Sequence, residues 1–354
     1  MDNQNLDELN TQVSNVADNT VPLFEDVAET IPKNALDYVA NLKRDCHTNL
    51  DPDNLVFAEG VEVFSARVKQ GSDLVTMPVL KMLISDEKIQ APIYVFAPEA
   101  GSNYRNLSNY IDHKVKVAVS TLRYINNKYI AEGSIRQAEY VIGKKLFDTF
   151  NKDPEKFKSE ERLGTITQVI DTNTFGCVFF EYEGMQLGML ARNYYYQTWT
   201  TPLSQVAQIG YKIPFKIEDI QVTTYEEQEG VKRDIANHLP VPKGTMYQIM
   251  TTRLPFLPSP DTIVSNLLKK NAEFKANIVR CHPVKGILVE IAPGWLIKGF
   301  LNSRSPFKPS IEDAKQHTAV VVRLMKLDQA TKTGRCLILR FPHGVAKTID
   351  PHNH

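Results

Sequence analysis

The sequence predicts a mainly β chain of three small five-stranded barrels in tandem, preceded by a helix and joined by helical and proline-rich spacers. Three observations predict it. First, residues 163–220 break into short runs of strand-forming residues separated by turns. These are 163–169, with a β-branched residue at every second position, then 175–180, 185–190 and 211–217. Asp171-Thr172-Asn173, Glu183-Gly184 and Gly210 punctuate them. Second, the same order of strand, Gly-centred strand, strand after a turn, short helix and strand recurs over 55–137 and 272–343. Third, the stretches between differ in kind: 138–162 is Lys-rich with a helical pattern, whereas 239–260 carries Pro240, Pro242, Pro255, Pro258 and Pro260. This strand order is that of a Greek-key barrel of the OB type.

Taken in order, residues 1–20 lack aromatics and hold little that could form a core, so a disordered acidic tail is expected. In the segment 21–54, Leu23, Phe24, Val27, Ile31, Leu36, Val39 and Leu42 suit a helix interrupted near Pro32. Its apolar side either covers the first barrel or docks another protein, and deletion of 1–50 is expected to leave the barrels folded. The first barrel, 55–137, is the most divergent copy. Its run 74–84 is continuously apolar, as in a strand buried on both faces or an edge broken at Pro78. Residues 93–96 make its third strand and 104–110 its short helix. In 114–119 lysines and valines alternate, which turns Lys114 and Lys116 away from the core. A helical spacer, 138–162, leads to the second barrel, 163–238. A proline-rich spacer with a short helix begun at Asp261 fills 239–271, the third barrel spans 272–343, and 344–354 is a tail.

Lys and Arg number 41 and Asp and Glu 41, so the formal charge is zero, but its distribution is uneven. Residues 1–60 hold 3 basic and 12 acidic side chains, a net of −9; residues 272–354 hold 13 and 6, a net of +7. The four cysteines, Cys46, Cys177, Cys281 and Cys336, are scattered without a CxxC pair, which suits buried thiols in a reducing compartment. A polar, acidic N-terminus and the lack of any long apolar run point to a soluble, cytoplasmic protein with no membrane partner.

The barrels resemble divergent ribosomal-protein S1-type RNA-binding domains. Phe175-Gly176-Cys177-Val178-Phe179 matches that family's second strand, with Val178 where the family has an exposed Phe. Gly188-Met189-Leu190-Ala191 matches the third strand with Ala191 in place of a His. In the third barrel, Lys285-Gly286-Ile287-Leu288-Val289 puts Leu288 at the Phe position, and Gly299-Phe300-Leu301-Asn302 puts Asn302 at the His position. The resemblance covers about three quarters of the chain and extends to proteins of bacteria and their phages. It implies binding of single-stranded nucleic acid, RNA before DNA.

Such barrels bind single strands with flat side chains on the second and third strands and with cations along the phosphates. The candidates are Phe175, Arg192, Tyr194 and Tyr195 in the second barrel, and Trp295, Lys298, Asn302, Arg304, Lys308 and Arg335 in the third. Tyrosines that follow a strand can equally fill a barrel's open end. Trp295 would stack on a base only from the turn begun by Pro293-Gly294, since Lys298, three residues on, projects from the opposite face of a regular strand. Lys298, Arg304 and Arg335 would then hold phosphates around it.

Catalysis is not expected. No GxxxxGK[ST] or GxGxxG loop follows a strand, and neighbours such as Cys281 and His282 point to opposite strand faces. No cofactor or metal is expected. The sequence therefore reads as a non-enzymatic single-stranded nucleic-acid-binding protein. The alternatives are an adaptor of the transcription or translation machinery, with a protein partner at the acidic N-terminal helix, or a structural subunit that makes contact through 74–84.

Overall fold

The computed structural model describes residues 21–70, 73–86, 89–172, 175–197, 201–270, 273–301 and 308–341. Strands occupy 47% of the described residues and form three five-stranded barrels, closed or nearly so. The first contains β1 (Val56–Gln70), β2 (Asp73–Asp86), β3 (Ile89–Phe96), β4 (Lys114–Ile125) and β5 (Lys128–Ser134), closed in the order β1-β2-β3-β5-β4. The third repeats that order with β11 (Glu273–His282), β12 (Gly286–Ala292), β13 (Trp295–Leu301), β14 (Ala319–Asp328) and β15 (Thr333–Arg340). In both, the third and fifth strands run parallel and the other described pairs antiparallel. This is the OB order anticipated from the turn spacing.

The middle sheet has β6 (Arg162–Asp171), β7 (Gly176–Tyr182), β8 (Met185–Leu190), β9 (Lys212–Thr224) and β10 (Thr245–Thr252) in the order β10-β9-β6-β7-β8. Its fifth strand thus comes from a stretch that its prolines mark as a spacer. Pro240, Pro242, Pro255 and Pro258 flank β10 on either side, and the eight residues between carry none, so ladder donors are intact. By backbone contacts the chain forms two compact units. One comprises the described residues up to Glu160 with Glu181–Leu187 and Ile217–Met250; the other comprises Glu161–Phe180, Gly188–Lys216 and the described residues from Thr251 onward.

In the first unit, β2 explains the long apolar run. Leu80, Met82 and Ile84 join the barrel interior, whereas Met77 and Val79 pack on the other face with Phe24, Ala28 and Tyr94. The strand is buried on both sides by its own chain, so most of this run is not a surface for assembly. Phe24 stands edge-on to Tyr94 and Phe96, with centroids 5.2 and 4.9 Å away. Lys128 Nζ donates to the carbonyls of Glu25, Asp26 and Ala28 and so closes the short helix Phe24–Val27. The helix Lys33–Thr48 then lays Ala35 and Val39 into the barrel core. The apolar face offered by the sequence for a protein partner is therefore occupied. Gly60 on β1 lies so close to the Tyr110 carbonyl that a Cβ would collide with it.

The helix Ile135–Lys152 follows β5 directly, capped by the Ser134 hydroxyl, which accepts from the Gln137 N–H. In the second unit the helix Pro260–Lys270 packs on the third barrel, contributing Val264 to its core. Of the four cysteines three are buried and Cys281 half-buried; burial pushes the Cys177 thiol up to about 11 and Cys336 up to about 12. No helix among the described residues is long and apolar enough to cross a membrane.

Because residues 22–39 supply core side chains, deletion of 1–50 is now expected to disrupt the first barrel. A milder variant isolates the effect. Phe24→Ala should cost about 3–5 kcal/mol and strip amide-exchange protection from β1–β3, while the third barrel keeps its protection. Unchanged protection in β1–β3 would refute the packing role.

Candidate nucleic-acid interface

Strand alternation divides the third barrel's residues between core and surface. On β13, Trp295 and Ile297 are buried, and a Cβ on Gly299 would collide with Ile338 and Val289. Leu296, Lys298 and Phe300 therefore share the outer face. Trp295 is 0% exposed, and its indole Nε1 donates to Asp261 Oδ1 at 2.8 Å. That carboxylate also pairs with Lys332 Nζ at 3.3 Å; the indole bond and the lysine hold it below the usual carboxylate range. Trp295 is thus a core residue and no stacking platform. It opens a strand instead of standing in the turn, because the apolar residues at 295 and 297 pin that face inward.

Lys298 and Arg335, by contrast, are both exposed and directly paired in register across β13 and β15. The register extends this pair into a row across all five strands: Arg280, Leu288, Lys298, Arg335 and Lys326. All four cations are exposed, and none makes an ion pair within 4.0 Å among the described residues. Beside the row, Phe300 is 44% exposed, with the Arg335 guanidinium 5.7 Å from its centroid. Sequence reasoning missed Phe300, Arg280 and Lys326. Phe300 was legible, since it lies two residues from Lys298; the others needed the register. Lys308 is exposed beyond β13, and Asn302 and Arg304 lie outside the described residues.

The second barrel's candidates are dispersed. Tyr194 is buried, its hydroxyl donating to the Val206 carbonyl at 3.2 Å, with Arg253 4.7 Å above its ring. Tyr195 is half-buried and donates to the Thr201 carbonyl at 2.8 Å. Burial raises the pKa of both phenols. Both hydroxyls are thus spent on backbone carbonyls of the chain itself. Phe175 and Arg192 are exposed. Ala191, at the family's His position, is buried against Gly176, and Val178 is wholly buried.

In the first unit one carboxylate is strongly perturbed. Burial raises Glu139 to about 7, against an ordinary value of 4.5, although it accepts from the Tyr225 hydroxyl and from Ser102 N–H and Oγ. A cavity of about 230 Å³ lies beside these partners, but its Tyr104 hydroxyl and Arg105 are both spent on Asp234, at 2.6 and 2.7 Å. No cluster of three or more His, Cys, Asp or Glu among the described residues is arranged to hold a metal.

Two stability predictions follow from these burials. Trp295→Ala should destabilise the third barrel by about 3–5 kcal/mol, read by chemical denaturation; an unchanged midpoint would return the indole to the surface. For Glu139, the folded state keeps a proton that the unfolded chain releases between pH 4.5 and 7. Its contribution to stability is full below pH 4.5 and is lost as pH rises through 7. Glu139→Gln should therefore flatten the fall of melting temperature across that window and melt above the parent at pH 8. A parallel fall in both proteins would place the pH dependence elsewhere.

No protein-family model and no curated protein matches the chain. Among the solved structures similar to it are two that bear on nucleic acids by description. One is a multidomain protein with nucleic acid binding domains from Streptococcus pneumoniae TIGR4, at 10% identity over 80% of this chain and 73% of that one, TM-score 0.17. The other is a murine DNA binding protein bound with double-stranded DNA, at 9% identity over 55% of this chain and 92% of that one, TM-score 0.15. At such scores the superpositions carry no functional argument.

Proposed function

We propose that this protein binds single-stranded nucleic acid, RNA in preference to DNA, without catalysing a reaction, and does so on the outer face of the third barrel. One observation carries the reading: the row Arg280, Lys298, Arg335 and Lys326, without an ion pair among the described residues, beside the half-exposed Phe300. Cations spaced across neighbouring strands suit a phosphate backbone crossing the sheet, and a ring among them suits one stacked base. The resemblance to S1-type domains supports the same face, since Leu288 and Lys298 stand opposite one another on the second and third strands of this barrel. Here the apolar Leu288 replaces an aromatic, which leaves Phe300 as the stacking ring and charge as the larger source of affinity.

Electrophoretic titration against single-stranded RNA at several salt concentrations tests this. Phe300→Ala should weaken binding by about 1–3 kcal/mol at every salt. Arg335→Ala or Lys298→Ala should instead reduce the slope of log affinity on log salt by roughly 0.7 of a unit each. Parent-like affinity and slope in all three variants would remove the third barrel from the interface.

A further inference from the structure

We propose that the first unit carries a second single-stranded nucleic-acid site, in the cleft between the helix Lys33–Thr48 and the β4–β5 hairpin. The proposal rests on the reading of the chain as nucleic-acid-binding, but not on any residue of the third barrel. The cleft, about 410 Å³, is lined by Ala40, Lys43, Arg44, His47, Thr48 and Leu122.

Helical spacing puts these groups there. Positions 40, 43, 44 and 47 recur at i, i+3, i+4 and i+7 and so form one stripe, while Ala35, Val39 and Cys46 on the other side are buried. The core-facing side thus fixes which way the cations turn. Lys43 and His47 make no ion pair among the described residues. Arg44 Nε lies 3.4 Å from Asp45 Oδ1, an exposed pair that leaves the charge available.

The strand side supplies rings. Leu122 and Tyr124 are two residues apart on one face of β4, and Tyr124 stands opposite Tyr129 of β5. Their centroids are 4.7 Å apart with planes tilted by 44°, and they are 59% and 38% exposed. The platform is held from several sides. Asn126 and Asn127 both take positive φ, 50° and 62°, in a tight turn. The Tyr124 hydroxyl donates to Asn127 Oδ1 at 3.1 Å. Tyr129 N–H donates to Thr30 Oγ1, and its carbonyl accepts from the Ile31 N–H at 2.8 Å. A fixed, exposed pair of rings two residues along the strand from Leu122, which lines the cleft with the cations, combines the two elements by which single strands are held, and an acidic peptide would use only the cations.

The experiment uses the intact chain and a fluorescein-labelled uridine homopolymer longer than the ~4–16 nucleotides one such barrel occupies. Tyr124→Ala with Tyr129→Ala should weaken binding by roughly fivefold or more. Lys43→Glu with Arg44→Glu should also make the salt slope shallower. A photoreactive 4-thiouridine probe on the unaltered chain should crosslink within 122–130, which guards against misfolded variants. Parent-like affinity in the tyrosine variant together with crosslinks confined to other segments would overturn the proposal, as would loss of binding in the charge variant alone, the mark of a cationic patch. Phe300→Ala with Arg335→Ala serves as the reference. If it loses affinity while the tyrosine variant does not, the cleft falls and the third barrel stands; the reverse result removes the third barrel and keeps the cleft.

Discussion

A five-stranded barrel encloses little more than its own side chains, and its open ends must be covered by apolar groups from outside the strands. That constraint governs the rest of this structure. The first barrel is covered by the helix Lys33–Thr48 through Ala35 and Val39, which lie in one cluster with Val56, Leu80 and Ile93. The third is covered by Val264 of the helix Pro260–Lys270 and by Ala314. The two covering helices precede the first strand of the first and third barrels, so each of these barrels and its helix are read from one continuous piece of chain. A segment that scans as linker or tail is here part of a domain.

The same constraint decides which aromatic residues remain for a ligand. Trp295 and Tyr194 are among the largest side chains that are fully buried, and each is anchored through its polar atom, to Asp261 and to the Val206 carbonyl. A buried indole N–H or phenol without an acceptor would cost about 1–3 kcal/mol, so these bonds fix the rings in place. The rings left in water among the described residues include Phe300 on β13, and Tyr124 and Tyr129 on the β4–β5 hairpin.

Much of the architecture was legible in the sequence because turn residues and period-two alternation report directly on strands. The three barrels, their OB order and the helix before β1 all carry such signals. β10 was not legible, because Pro240, Pro242, Pro255 and Pro258 around it mimic an extended linker while Thr245–Thr252 is too short to outweigh them. The candidate site was read less well, for a different reason. Trp295 is flanked by Pro293-Gly294, and either a turn or a strand start fits that pattern; only the inward face it shares with Ile297 separates them. Lys298 and Arg335 could be named singly, but their adjacency is a matter of register between strands 37 positions apart in sequence, which no local pattern encodes.

The register also bears on why this row of cations makes no ion pair among the described residues. Some surface charges of the third barrel are matched: Arg323 meets Glu273 across β14 and β11, and Lys315 meets Glu312. Along the row from Arg280 to Lys326 no carboxylate intervenes; the one uncharged member is Leu288. Like charges directly opposite in a sheet are destabilising, and a glutamate at either 298 or 335 would relieve that at once. On the proposed reading the missing anions are phosphates, which neutralise several cations together and release counterions as they do so. The repulsion within the row then weakens only the empty state. Binding would relieve it, and affinity would depend on salt far more steeply than a net charge of zero for the whole chain suggests.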